Sequence, residues 1–175
     1  MTAPMRWGLP EWTVLAVLRE EPRHGFAIAA LTADGGELGR VWQVPRPLVY
    51  RALGRLEEAA LVTPTVVESG PGPQRTLYAA TPEGRAAVEG WLREPVEHVR
   101  EIRSLLLMKL ALLDRAGADP RELLRRQREV LEPIADAMAA ECERHEGFDA
   151  VLAAWRHSTA AAALTFLDEI GAPGP

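Results

Sequence analysis

The sequence predicts a mostly α-helical protein, and three observations carry that reading. Apolar residues recur at three- and four-residue spacing over most of the chain. Only two runs, Val62–Glu68 and Thr76–Ala79, have the Thr/Val-rich or aromatic character of strands. Between them lies Gly70-Pro-Gly-Pro73, a stretch that cannot be helical and that reads as the turn of a hairpin.

Pro10 opens a first helix, a position where proline is tolerated, and Trp12, Leu15, Ala16 and Leu18 make that helix largely apolar. The run from Glu20 to Gly25 breaks it. A short helix then opens at His24 or Gly25 and continues through Thr32, with Phe26, Ile28, Ala29 and Ala30 available for packing. Asp34-Gly-Gly36 ends it with two glycines able to take positive φ.

After a connector to Val44, the segment Gln43–Leu61 sets Val49, Ala52, Leu53, Leu56 and Ala60 at helical spacing. Its other face carries Arg46, Tyr50, Arg51 and Arg55, and no acid occurs from Leu38 to Leu56. Guanidinium groups match phosphates and guanine edges in bidentate geometry. Two helices around a short break, the second one basic, followed by a hairpin, are the elements of a winged helix-turn-helix with a two-stranded wing. Double-stranded DNA is therefore the first partner to consider. Gln74 and Arg75 fall near the wing tip, and Arg75 has no packing reason to stand there.

Thr81-Pro-Glu83 is a helix start, with threonine as cap and proline in the first turn; that helix carries Val88, Trp91 and Leu92 and is closed by Pro95. The remainder reads as helices. Val96–Ala116 presents Ile102, Leu105, Leu106, Leu110 and Leu113 as a wide apolar face. A break at Gly117–Pro120 follows, with Asp119 as cap and Glu122 completing a capping box. A long helix then runs from Pro120 towards His145, with Pro133 expected to kink it, and a last one runs from after Gly147 to about Ile170. The Ala-rich stretch at 159–163 suits close helix packing. This divides the chain into a DNA-binding domain over 1–93 and a helical dimerisation domain over 94–175.

Charge follows the same division. Residues 1–88 hold 9 Lys/Arg and 9 Asp/Glu, whereas residues 89–175 hold 11 and 16, so the whole net charge of −5 lies in the second part. Negative overall charge weakens non-specific attraction to DNA but leaves room for a local basic face. Cys142 is the single cysteine, which rules out an intrachain disulfide framework and suits the cytoplasm. No signal peptide is apparent at the N-terminus, and the longest late uncharged stretch, Ser158–Leu167, is too short to span a bilayer.

Several motifs combine into a recognisable order: Leu15-Ala-Val-Leu18, Pro22-Arg-His-Gly-Phe26, Val41-Trp42, Val49-Tyr-Arg-Ala-Leu-Gly-Arg-Leu-Glu57, Leu61-Val62, Gly72-Pro-Gln-Arg75, Tyr78 and Thr81-Pro-Glu-Gly-Arg85. Together they resemble the PadR family of bacterial transcriptional regulators. Arg103-Ser-Leu-Leu-Leu-Met-Lys-Leu110 also looks like the helical C-terminal domain of its longer members. The resemblance implies a homodimeric repressor joined by its C-terminal helices, with repression relieved by a small-molecule effector, often a phenolic acid or drug-like aromatic. One departure concerns the start of the basic helix. Family members often have serine and glycine where Pro45 and Pro47 stand here, and both prolines remove N–H donors that hold phosphate.

The DNA-contact set expected is thus His24, Gly25, Arg46, Pro47, Tyr50, Arg51, Arg55, Gln74 and Arg75. His24 and Gly25 open the preceding helix, where a backbone N–H can meet phosphate, although His24 reads equally as a surface histidine. Glu57 or Glu58 could instead pair locally with Arg55. Trp7, Trp12, Trp91 and Trp155 are candidate walls of an aromatic effector pocket, against a plainer role in core or dimer interface. Cys142 and His145 lack the further convergent ligands a metal site needs, and no catalytic motif or cofactor-binding loop is present. The competing function is a winged-helix adaptor that binds protein rather than DNA.

Overall fold

In a computed structural model, residues 7–68 and 75–171 are described, with the backbone alone for 66–68 and 75. The chain divides into two compact units. The first holds residues up to Leu92 together with Met108–Gly117, and the second holds Arg93–Leu107 together with the chain from Ala118 onward.

The first unit begins with α1 (Leu9–Glu20), whose Val14, Leu15, Val17 and Leu18 are fully buried. Pro10 lies in its first turn, and the Glu11 carboxylate accepts from the Gly8 N–H at 3.0 Å, closing the helix start. A two-residue strand, β1 (Arg23–His24), leads into α2 (Gly25–Thr32). The buried positions of α2 are Gly25, Ile28, Ala29 and Thr32, one stripe at helical spacing. Phe26 falls off that stripe and is 61% exposed, so the packing role expected for it is not found. Thr32 ties α2 to the chain entering the next helix: its hydroxyl lies 3.2 Å from the Val44 carbonyl, and Val44 N–H donates to the Thr32 carbonyl at 3.1 Å.

The third helix, α3 (Arg46–Glu58), buries Val49, Ala52, Leu53 and Leu56 and packs against α1 and α2. Then come β2 (Val62–Glu68), β3 (Arg75–Ala80) and α4 (Pro82–Arg93). Thr81 caps α4 as expected, its hydroxyl accepting from the Gly84 N–H at 3.0 Å. The sheet has three antiparallel strands in the order β1-β3-β2, not two. β1 pairs Arg23 with Tyr78 and His24 with Leu77, and two residues are too few to show a strand period in the sequence. Pro64 is accommodated because β2 is an edge strand, and the register shifts beside it, between Pro64 and Val66.

The segment expected to be one helix from Val96 is built in three pieces: a 3₁₀ turn at Val99–Glu101, a π-helical turn at Ile102–Leu106, and α5 (Leu107–Arg115). Met108 and Leu112 of α5 are buried, and Arg115 grips Glu20 of α1 with two bonds of 3.0 and 2.7 Å while also pairing with Glu37. These carboxylates hold the guanidinium well above its ordinary pKa, the hydrogen bonds to Glu20 being the main cause. Residues 108–117 thus pack with the first unit, although the sequence reading groups them with the C-terminal helices.

The second unit is built on α6 (Arg121–Cys142) and α7 (Gly147–Gly171), packed as a hairpin. Ala153, Ala160, Ala163 and Leu167 of α7 and Leu124, Leu131 and Ala135 of α6 are buried, which is the close Ala-mediated packing the sequence suggests. Gln127 is fully buried and bonds both polar groups of Val96, accepting from N–H at 2.7 Å and donating to C=O at 2.9 Å. Asp119 accepts from the Arg121 N–H at 2.9 Å, but Glu122 pairs with Arg125 instead of closing a capping box. Among the described residues, no helix is long and apolar enough to cross a membrane.

Candidate nucleic-acid interface

The start of α3 is shaped by its two prolines. Pro45 is the N-cap and Pro47 sits in the first turn, where a missing N–H breaks no helical bond. The Leu48 and Val49 N–H groups both turn back to the Pro45 carbonyl, at 2.8 and 3.2 Å. Few backbone donors remain at this helix end, so binding of an anion or a base edge falls to side chains.

Those side chains converge. Arg46 lies with its guanidinium carbon 5.5 Å from the Phe26 ring centre and 5.6 Å from that of Tyr50, within cation–π range of both. Arg46, Tyr50 and Arg51 are all exposed, and among the described residues no carboxylate pairs with Arg46 or Arg51. Gly25 matters for its lack of a side chain, because a Cβ there would stand 2.9 Å from the Tyr50 ring and 3.1 Å from Leu53. Its bare backbone lets α3 and its tyrosine lie against the start of α2. Behind Tyr50 stands Tyr78 of β3, whose phenol is pushed above its ordinary pKa, first by burial and then by Glu57 and Tyr50, so it stays neutral. His24 stands at the N-cap position of α2 without a side-chain capping bond, and its Nδ1 lies 3.2 Å from the Thr76 carbonyl, fixing it to the sheet.

Arg55 is placed differently from the other three. It forms an ion pair with Glu11 of α1, 8% exposed, and its guanidinium carbon lies 5.3 Å from the Trp7 ring centre. The partner is neither Glu57 nor Glu58 but a residue 44 positions away. Of the wing residues, Gln74 lies outside the described residues, and Arg75 is described as the backbone partner of Glu68 in the β2–β3 ladder.

Residues 14–90 match the model of the family described as "Transcriptional regulator PadR-like family". The first unit is a PadR-like winged helix. The chain is similar to Bacillus subtilis PadR in complex with operator DNA, at 18% identity and a TM-score of 0.50, covering 97% of this chain and 100% of that one. Bacillus subtilis PadR in complex with p-coumaric acid is similar at 14% identity and a TM-score of 0.46, covering 93% and 96%. The Vibrio cholerae virulence activator AphA is similar at 21% identity and a TM-score of 0.42, covering 94% and 96%. Among curated proteins no sequence matches.

Of the four tryptophans expected at an effector pocket, Trp7, Trp12 and Trp91 belong to the first unit. Trp12 and Trp91 stack on each other, centroids 5.2 Å apart and planes 5° from parallel, with Lys109 Nζ 4.9 Å from the Trp91 ring centre. No planar ligand fits between two rings already in contact. Trp7 serves Arg55. Trp155 belongs to the second unit, where it is 70% exposed and lines a groove of about 320 Å³ with Val99, Ile134, Met138, Arg100 and Arg156. Trp155 also ends a stripe on α7 made of Phe148, Val151 and Leu152, all exposed and spaced i, i+3, i+4, i+7. Of the apolar residues of the C-terminal helices, Leu106 and Leu167 are buried within the chain, while Ile102, Leu105, Leu110 and Leu164 are half-buried. The helical spacing of 148, 151, 152 and 155 is the readable signal for the face that is exposed.

Proposed function

We propose that this PadR-like protein is a sequence-specific DNA-binding regulator, acting as a homodimer on a pseudo-palindromic operator and relieved of repression by a small aromatic effector. The observation that supports DNA reading best is the carboxylate-free pair Arg46 and Arg51 beside Tyr50 on α3 of a winged helix. Arg46 and Arg51 are assigned to base edges in the major groove and Arg75 of the wing to phosphate or the minor groove. Gly25 and Pro47 act by shaping the start of the two helices, His24 by fixing α2 to the sheet. Arg55 is assigned to the α1–α3 contact rather than to DNA.

The α7 stripe is the face assigned to the second copy. Four large apolar side chains in one exposed row form the kind of patch that marks an interaction site, and two-fold symmetry lets one small helix per protomer read both half-sites. The groove beside Trp155 has apolar walls and two arginines at its edge, which suits an aromatic ligand with an anionic end. The protein would work in the cytoplasm.

Affinity for the DNA flanking the protein's own gene, measured against salt and against a panel of aromatic acids, tests this reading. Specific binding with a steep salt slope that an aromatic acid abolishes is the expected result. Flat, sequence-independent weak binding would return the chain to the adaptor alternative. Trp155→Glu should convert a dimer to a monomer in sedimentation while the fold persists.

A further inference from the structure

Phe26 is a large apolar side chain on the first turn of α2, 61% exposed, in a unit whose other large aliphatic residues on α1 and α3 are mostly buried. It lies one position off the buried stripe of its helix, so packing does not hold it there. It does touch one functional group: its ring centre is 5.5 Å from the Arg46 guanidinium carbon. Tyr50 stands at 5.6 Å from the same carbon. The two rings limit the conformations of a side chain that would otherwise lose much rotamer freedom on binding.

We infer that Phe26 is a specificity-determining residue that reads the methyl group of a thymine next to the guanine bound by Arg46. The inference rests on the reading of α3 as the DNA-binding helix. A phenyl ring has no hydrogen-bonding group, and the apolar feature a major groove offers it is the thymine C5 methyl. Arg46 matches guanine O6 and N7 in bidentate geometry. Successive base pairs are about 3.4 Å apart, so a ring about 5.5 Å from the guanidinium is within reach of a neighbouring pair. The half-site therefore contains guanine and thymine in adjacent positions, and the discrimination at the second comes from α2 rather than α3.

The experiment removes a single methyl from the DNA. A duplex is selected by the wild-type protein from a random pool, and each thymine in it is replaced in turn by deoxyuridine, which keeps every base pair and hydrogen-bonding edge. Wild-type protein should lose about fourfold in affinity at the thymine beside the guanine that Arg46→Ala ceases to prefer. Phe26→Ala, an exposed substitution, should bind the thymine and deoxyuridine duplexes equally. Indifference of the wild-type protein to every deoxyuridine overturns the inference while leaving DNA binding intact. So does a Phe26→Ala protein that is as methyl-sensitive as wild type. Failure of the protein to enrich any sequence from the pool would instead overturn the DNA-binding reading itself.

Discussion

Arginines on two helices of this protein are used in opposite ways. On α6, Arg121 pairs with Asp119, Arg125 with Glu122 and Glu129, and Arg128 with Glu132 and Asp168. On α3, Arg46 is flanked by two aromatic rings and Arg51 is exposed, and among the described residues neither has a carboxylate partner. The first arrangement is a solvated helix face that neutralises itself largely through i,i+3 and i,i+4 pairs. The second keeps positive charge unspent at the surface of a unit whose residues 1–88 have no net charge at all. Arginine content does not separate the two faces; what separates Arg46 and Arg51 from Arg121, Arg125 and Arg128 is the carboxylate each of the latter holds.

Arg55 lies between these cases and gives the largest expected effect. It is on α3 but belongs to the paired class, because it serves nearly buried Glu11. Arg55→Ala should cost about 3 kcal/mol of stability by leaving that nearly buried carboxylate without its cation and with only the Gly8 N–H, measured by urea unfolding. The preference for operator over random DNA should be unchanged. Loss of discrimination without loss of stability would place Arg55 with Arg46 and Arg51.

Gln127 is the polar anchor of the second unit. Gln127→Leu should cost about 2 kcal/mol, because the Val96 N–H and C=O would lose their buried partner. DNA affinity measured well below the unfolding midpoint should not respond.

The smallest effect belongs to the acidic partners of the first α6 arginines. Arg121 holds Asp119, and Arg125 holds Glu122, below their ordinary carboxylate pKa. A lowered folded-state pKa contributes stability that is present above the unfolded value and is lost as pH falls through the folded one. The thermal midpoint should therefore slope downward below about pH 4, and Asp119→Asn with Glu122→Gln should lower the neutral midpoint slightly and flatten that slope, because the contribution they remove is present at neutral pH and already lost in acid. These groups are fully exposed, so a large change at neutral pH would contradict their assignment as a solvated face.

Much of this architecture is legible in the residues. Apolar spacing places α1, α2 and α3; Thr81-Pro82 places the start of α4; and the Thr/Val runs place the hairpin. Arg46, Tyr50 and Arg51 are readable as one basic face because helical geometry is local. What escapes is what depends on distance along the chain. The Arg55 partner is 44 residues away, and Arg115 finds Glu20 across 95. Residues 108–117 join the first unit although they follow a helix closed by Pro95, so a protein shortened at Pro95 would lose buried Met108 and Leu112 along with the C-terminal helices. The exposure of Phe26 does have a local signal, since Gly25, Ile28, Ala29 and Thr32 already fill the inner stripe of an eight-residue helix.

The contrast between the two helices is tested most directly by the ratio of operator to random-DNA affinity, measured for Arg46→Ala, Arg51→Ala and Arg125→Ala at one salt concentration. Loss of a bidentate base contact is worth about 1–3 kcal/mol, so at least one of the α3 variants should lower that ratio by roughly 5- to 150-fold. Arg125→Ala should leave it at the wild-type value. An unchanged ratio in both α3 variants would contradict the assignment of α3 as the reader of DNA.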